Sequence, residues 1–453
     1  MEFSRPLRNP SRLLTALAVF LVWPLRGQLP AQAFDFDAPP ISYATTPSED
    51  PVARLARRLD AREATLSFDG ARGYLPALLK ALEIPVSSQV LVFSKTSFQR
   101  DLISPETPRA LYFNDETYVG FVRHGEVLEV ASMDPKQGAI FYSLAQDPSS
   151  PPKLVRRNAE CTQCHASALT KGVPGLLVRS VYTDRIGQPI LKAGTFLTDH
   201  TSPFKERWGG WYVTGTHSAM RHLGNSFLDD PAGDPGKFVA AAGANVTDLS
   251  RRFDAAEYLS ASSDIVALMV LEHQTQVHNL ITSASYQARL ALRDEEAIRE
   301  MMKEPPGPPT ESTRRRFEYA SRPLLRHLLL AGEAQLDGPI RGTSRFAEEF
   351  QALGPRDARG RSLRELDLTR RLFRYPLSYL IYSEALDQLP PAFREHIFVR
   401  LHEILTGKDK EAAAEIERLD PRDRQAVLEI VRETRKGLPP CWTAGEGSPR
   451  ARL

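Results

Sequence analysis

Between residues 89 and 144 the chain alternates apolar and polar positions in short bursts: "QVLVFSK", "RALYFND", "TYVGFVR", "VLEVASM" and "GAIFYSL". Each is rich in Val, Tyr, Phe and Ile, and turn pairs such as Asn114-Asp115 and His124-Gly125 separate them. A period of two bounded by turn residues predicts strands, and five in succession predict an antiparallel meander. Two short helices are expected before it, "PVARLARRLDARE" and "GYLPALLKALEI". A hairpin is expected after it, with "GLLVRSVYTD" and "PILKAGTF" joined across "RIGQ". From Ser263 the period lengthens. Apolar residues recur every three or four positions through "SDIVALMVLEHQTQVHNLITSASYQARLALRDEEAIREMMK", which predicts one long helix. "EPPGPPTES" reads as a linker, and amphipathic helices follow, among them "SYLIYSEALDQL" and "PPAFREHIFVRLHEILTG". The expected class is α+β. It has a strand-rich N-terminal region over 34–155, a middle region over 156–304 ending in the long helix, and a helical C-terminal region over 305–453.

The first residues have a different pattern. Arg5, Arg8 and Arg12 precede the apolar run "LLTALAVFLVW", and "AQA" at 31–33 supplies small residues for cleavage after Ala33. This reads as a secretory signal over 1–33. The run is too short to span a bilayer, so no transmembrane anchor is expected in the mature chain. The expected location is periplasmic or secreted.

Exported proteins commonly carry disulfides, yet this chain has three cysteines, two of them in "AECTQCHASALTKGVPG". Cys161, Cys164 and His165 form Cys-x-x-Cys-His. One helical turn puts both thiols on one face, to reach the two vinyl groups of a haem, and places the imidazole under the iron. Two other readings stay open. A zinc site would join Cys161 and Cys164 to His217 and His222, across a gap longer than a compact finger uses. A redox dithiol would need a thioredoxin-like βαβ setting, which the preceding strands do not offer. One covalent haem c is expected, with His165 as proximal ligand. The Gly/Pro loop near Pro174 is expected to accept a hydrogen bond from its second ring nitrogen. Cys441 has no evident partner and is expected to be a free, partly buried thiol.

The sixth iron position separates electron transfer from ligand activation. "GTHSAMRHLGN" offers His217, Met220 and His222, with His217 and His222 the leading candidates for sixth ligand or distal side. His200, His273, His278 and Met133 are further candidates, although His273 and Met269 also suit a packed helix face. Trp208 and Trp211 are candidate pocket walls. Arg179 and Arg207 are candidate partners for the haem propionates, which a planar guanidinium suits.

"RALYFNDETYVGFV", "CTQCHAS…GVPG…VRSVY", "ERWGGWYVTGTH…RHLGN", "EHQTQVHNLIT" and "RLFRYPLSYLIYSEALDQLP" together resemble exported, single-haem c-type cytochrome-like proteins of environmental bacteria, described as cytochrome c domain-containing. The resemblance covers nearly all of the mature chain. It implies covalent haem at Cys161 and Cys164, His165 as axial ligand, and a place outside the cytoplasm. It carries no reaction to transfer. The chain departs from small cytochromes c in its size and in lacking an obvious lone Met ligand downstream. The leading expectation is electron transfer with a redox partner protein. The alternatives are a peroxidase-like haem enzyme with an open distal side shaped by His217, His222 and Arg221, and a zinc-stabilised binding module without haem. A formal net charge of +2 gives no footprint for nucleic-acid binding, and none is expected.

Overall fold

The computed structural model describes residues 34–443 except Pro231 and 410–418; the expected signal, 1–33, lies outside them. The protein is α+β. Helices α1 (Pro51–Asp60) and α2 (Leu75–Ala81) precede the meander, as the spacing predicts. All five expected strands form: β1 (Val90–Val92), β2 (Arg109–Phe113), β3 (Thr117–Phe121), β4 (Val127–Asp134) and β5 (Gly138–Ala145). They pair antiparallel in chain order. Two short strands complete a seven-stranded sheet, β6 (Leu154–Arg156) beside β5 and β9 (Trp211–Tyr212) beside β1. The expected hairpin is β7 (Arg179–Val181) with β8 (Thr195–Leu197).

Alternation along the strands separates two cores. Leu91, Tyr112, Val119, Val130, Ile140 and Tyr142 point to one side, where they meet α1 and α2 residues such as Val52, Leu75 and Leu78. Val92, Phe113, Tyr118, Met133, Phe141 and Trp211 point to the other. That second core extends through the long helix and the C-terminal helices to Trp442, so all three expected regions share it.

The long helix, α4, runs Ile265–Met302. Asp264 caps it, its carboxylate accepting from the Val266 and Ala267 amides, and Lys303 ends it in a left-handed conformation ahead of the proline-rich linker. From Ile265 to Tyr286 every residue is buried, polar ones included, so α4 is the central post of the fold. Its polar side chains bond to the sheet's turns. Gln274 donates to Asn114 O and to the Tyr118 hydroxyl, His278 Nε2 lies 2.9 Å from Asp115 O, and the Tyr286 hydroxyl donates to Gln137 O.

The C-terminal region holds Glu311–Leu328, Phe346–Ala352, Pro391–Leu405 and Pro421–Thr434 as helices. "SYLIYSEALDQL" differs from expectation. It forms a 3-10 turn at Tyr379–Tyr382 and a single α-turn at Glu384–Asp387. Ser378 and Ser383 each turn a side-chain oxygen onto an amide two or three residues ahead, and these local bonds compete with a continuous helix. Among the described residues no helix is long and apolar enough to cross a membrane.

Candidate haem site

The motif lies on a short helix, α3 (Asn158–His165), which follows β6 directly and sits at the β5 edge of the second core. Cys161 and Cys164 are free thiols one turn apart; Cys161 is half-buried against the core and Cys164 is exposed. Burial, with the charges of Glu129 and Glu160, pushes the Cys161 thiol up to about 11. A redox dithiol needs the opposite shift, toward thiolate, so the structure gives that reading no support.

His165 closes α3, and its ring lies 4.9 Å from that of Phe141 on β5. Its Nδ1 is 3.0 Å from Gly175 O, so the acceptor is the residue after Pro174. The Gly175 amide in turn donates to His165 O at 2.8 Å. Burial holds the imidazole below its usual range, opposed by the bond to Gly175, so it is neutral near pH 7. Nδ1 therefore carries the proton it donates to Gly175, which leaves Nε2 with its lone pair for a metal.

Sequence reading misses what holds this loop. Asn279 on α4 accepts from the Leu176 amide at 2.9 Å and donates to Leu176 O at 2.6 Å, a two-bond clasp. On the other side Pro174 O accepts from the Ala139 amide of β5. Gly175 must be glycine, because a Cβ there would lie 2.2 Å from Asn279 Oδ1. Asn279 had a signal in the sequence: an amide amid buried helix positions needs polar partners of its own.

The other candidates are gathered elsewhere. The rings of His217 and His222 lie 4.7 Å apart, tilted at 55°, with Phe204 and Trp208 around them. His217 Nε2 accepts from the Asn245 amide. Both nitrogens of His222, Trp208 Nε1 and His217 Nδ1 are buried without a partner among the described residues. Burial takes His222 down to about 3, so it is neutral. Arg221 is turned back onto the carbonyls of Ala219 and Met220. His200 and His273 meet through their Nδ1 atoms at 3.1 Å, and His273 Nε2 bonds Ser378 Oγ. Trp211 packs in the core and donates to Arg179 O. Arg179 Nε bonds Thr195. Arg207 is 2% exposed and bonds Glu272, His200 O and Ser202 O, so the sequence expectation of a propionate partner meets a guanidinium already engaged.

The chain matches no family model, no curated protein and no solved structure. Among the described residues no three or more His, Cys, Asp and Glu side chains converge to hold a metal ion, and the zinc alternative draws no support.

The two histidines differ in a way that is open to measurement. His222→Leu removes two nitrogens that have no partner among the described residues, and the expected change in unfolding free energy is within about 1 kcal/mol. His217→Leu orphans the Asn245 amide and costs roughly 1–3 kcal/mol. Urea denaturation separates them. If His222 instead binds iron, its loss changes the visible spectrum of the haem-loaded protein.

Proposed function

We propose that the chain is a mono-haem c-type cytochrome that transfers electrons outside the cytoplasm. The observation that carries this reading is the bond between His165 Nδ1 and Gly175 O, one turn from two free thiols. A local sequence match requires the Cys-x-x-Cys-His spacing alone. It does not require a neutral imidazole, oriented by a carbonyl on a loop clasped from both sides. The donor set suits haem: Cys161 and Cys164 would form the two thioethers, and His165 Nε2 would be the proximal ligand. When bound, the group supplies one-electron exchange between ferric and ferrous iron. The chain's residues do the rest. Gly175 fixes the imidazole tautomer, Phe141 packs against the ring, and Asn279 and Ala139 hold the loop. Gln163 and Cys164 are exposed, which puts the anchored group near the surface, where a redox partner protein can approach. The signal-like N-terminus and the resemblance to exported c-type cytochrome-like proteins belong with the same reading.

The test is covalent haem staining of the exported protein after denaturing electrophoresis. The native protein is expected to stain, and Cys161→Ala/Cys164→Ala to lose the stain completely. An unstained native chain refutes the proposal. A spectrum of the stained protein with carbon monoxide then decides the role: a low-spin iron that ignores the gas fits electron transfer, and a high-spin iron that binds it fits ligand activation.

A further inference from the structure

The sheet face beneath α3 is not uniformly apolar. Under α4 it presents Phe113, Tyr118, Met133 and Ala139. Toward the other end of the strands it presents Leu111, Gly120, Glu129 and Ser143, a row of directly opposed residues across β2, β3, β4 and β5. Arg109 lies two residues before Leu111 on the same face. Ser143 Oγ accepts from Arg157 Nε at 2.8 Å, and Arg157 is the residue that leads into α3. The polar end of the row is therefore the ground next to the haem anchors. Glu129 stands directly opposite Ser143, and Arg109 is paired with Glu129, so both charges sit on this ground.

Arg109 reaches Glu129 by crossing β3. Its Nη2 lies 2.5 Å from Glu129 Oε2, and both side chains keep 19% of their surface exposed. The crossing is open only because residue 120 is glycine. A Cβ there would come within 2.4 Å of Nη2 and 2.8 Å of Nε. Glu129 has further donors, since Gln99 Nε2 reaches its Oε1 at 3.0 Å. Arg109 is the member with capacity to spare: its Nε is buried with no partner among the described residues. A cation with an unspent buried donor, braced on one side by a carboxylate, is arranged to take a second anion.

We infer that Arg109 is the anion-binding group of the haem site and pairs with a haem propionate, in the role that the sequence suggested for Arg179 and Arg207. The inference rests on the haem reading above. Glu129 and Gly120 act as positioning residues, one holding the guanidinium and the other giving it room.

The experiment uses the exported, haem-stained protein and measures its midpoint potential between pH 5 and 8. The charged and titratable groups around the site are Arg109, Glu129, Arg157, Glu160 and His165. Arg109→Gln is expected to keep covalent haem and to lower the potential, because a positive charge near the iron favours the ferrous state. The expected change is about tenfold in the ferrous-to-ferric ratio, or ~59 mV for one electron. The potential should also become pH-dependent, since a propionate without its cation titrates inside that window while the native profile stays flat. Gly120→Ala, which keeps every charge and displaces the guanidinium, should shift the potential the same way by less. Arg109→Lys should restore part of it. If Arg109→Gln folds poorly with Glu129 left alone, Arg109→Gln/Glu129→Gln removes both charges and should show the same pH dependence. Stained variants with the native potential and the native flat profile overturn the inference and leave the haem reading standing. An unstained native protein overturns both.

Discussion

Gly175→Ala is expected to destabilise the protein by roughly 2–4 kcal/mol, through overpacking and two strained hydrogen bonds, and to loosen the loop that orients His165. The added Cβ would sit 2.2 Å from Asn279 Oδ1 and 3.1 Å from Thr170 Cβ. Asn279 cannot simply swing away, because its amide holds both the N–H and the C=O of Leu176. Thr170 is buried and its hydroxyl donates to Val173 O. The strain therefore falls on the loop, and the loop carries the bond to His165 Nδ1. Asn279→Ala alone should cost a similar amount, since it leaves two buried backbone groups of Leu176 without partners. The two changes share one contact, so the double variant should cost less than their sum, by about 0.5–3 kcal/mol. Urea denaturation of all four proteins gives the coupling energy. Strict additivity would mean that the asparagine and the glycine do not meet.

The readable parts of this molecule are those decided within a few residues. The meander was legible because alternation over five to eight residues fixes which side chains enter which core, and the register follows from short turns. The Cys-x-x-Cys-His helix and the loop acceptor were legible for the same reason: ten residues separate His165 from Gly175. Strands β6 and β9 were not: unlike β1 in "QVLVFSK", their three and two residues stand in no longer alternating run, and β9 pairs with β1, far back along the chain. The polar contacts of the site were hidden likewise. Asn279 reaches Leu176 across 103 residues, and the roles of Arg109, Gly120 and Glu129 exist only once three strands lie side by side. The sequence did offer one long-range clue in Glu272. A glutamate inside "IVALMVLEHQ" is surrounded by residues that are buried together, and a buried carboxylate needs a cation. That requirement claims Arg207, and the structure pairs the two at 3.2 Å.

Arg207→Met should accordingly be the most damaging single change away from the Cys-x-x-Cys-His helix. Glu272 is fully buried and its other oxygen, Oε1, has no partner among the described residues. Removing the guanidinium leaves the Glu272 carboxyl buried without its partner and also strips bonds from His200 O and Ser202 O. Breaking one side of a buried pair costs about 3–5 kcal/mol, whereas Arg207→Met/Glu272→Met should recover most of it, because the desolvation penalty disappears with both charges. The pH dependence has a definite sign. Burial pushes Glu272 up to about 7 from 4.5, against the pull of Arg207. The native state then binds its proton more tightly than the unfolded chain does, so this group's contribution is greatest below pH 4.5 and is lost as pH rises through 7. Without Arg207 the carboxylate titrates higher still, and the loss extends to higher pH. Burial pushes Glu333 up to about 7 as well, so the native profile alone mixes two groups. The difference between native protein and Glu272→Gln, followed by urea midpoints from pH 4 to 8, isolates Glu272. A profile in which Glu272→Gln matches the native slope at every pH would show that the carboxylate is solvated, and the buried pair would have to be abandoned.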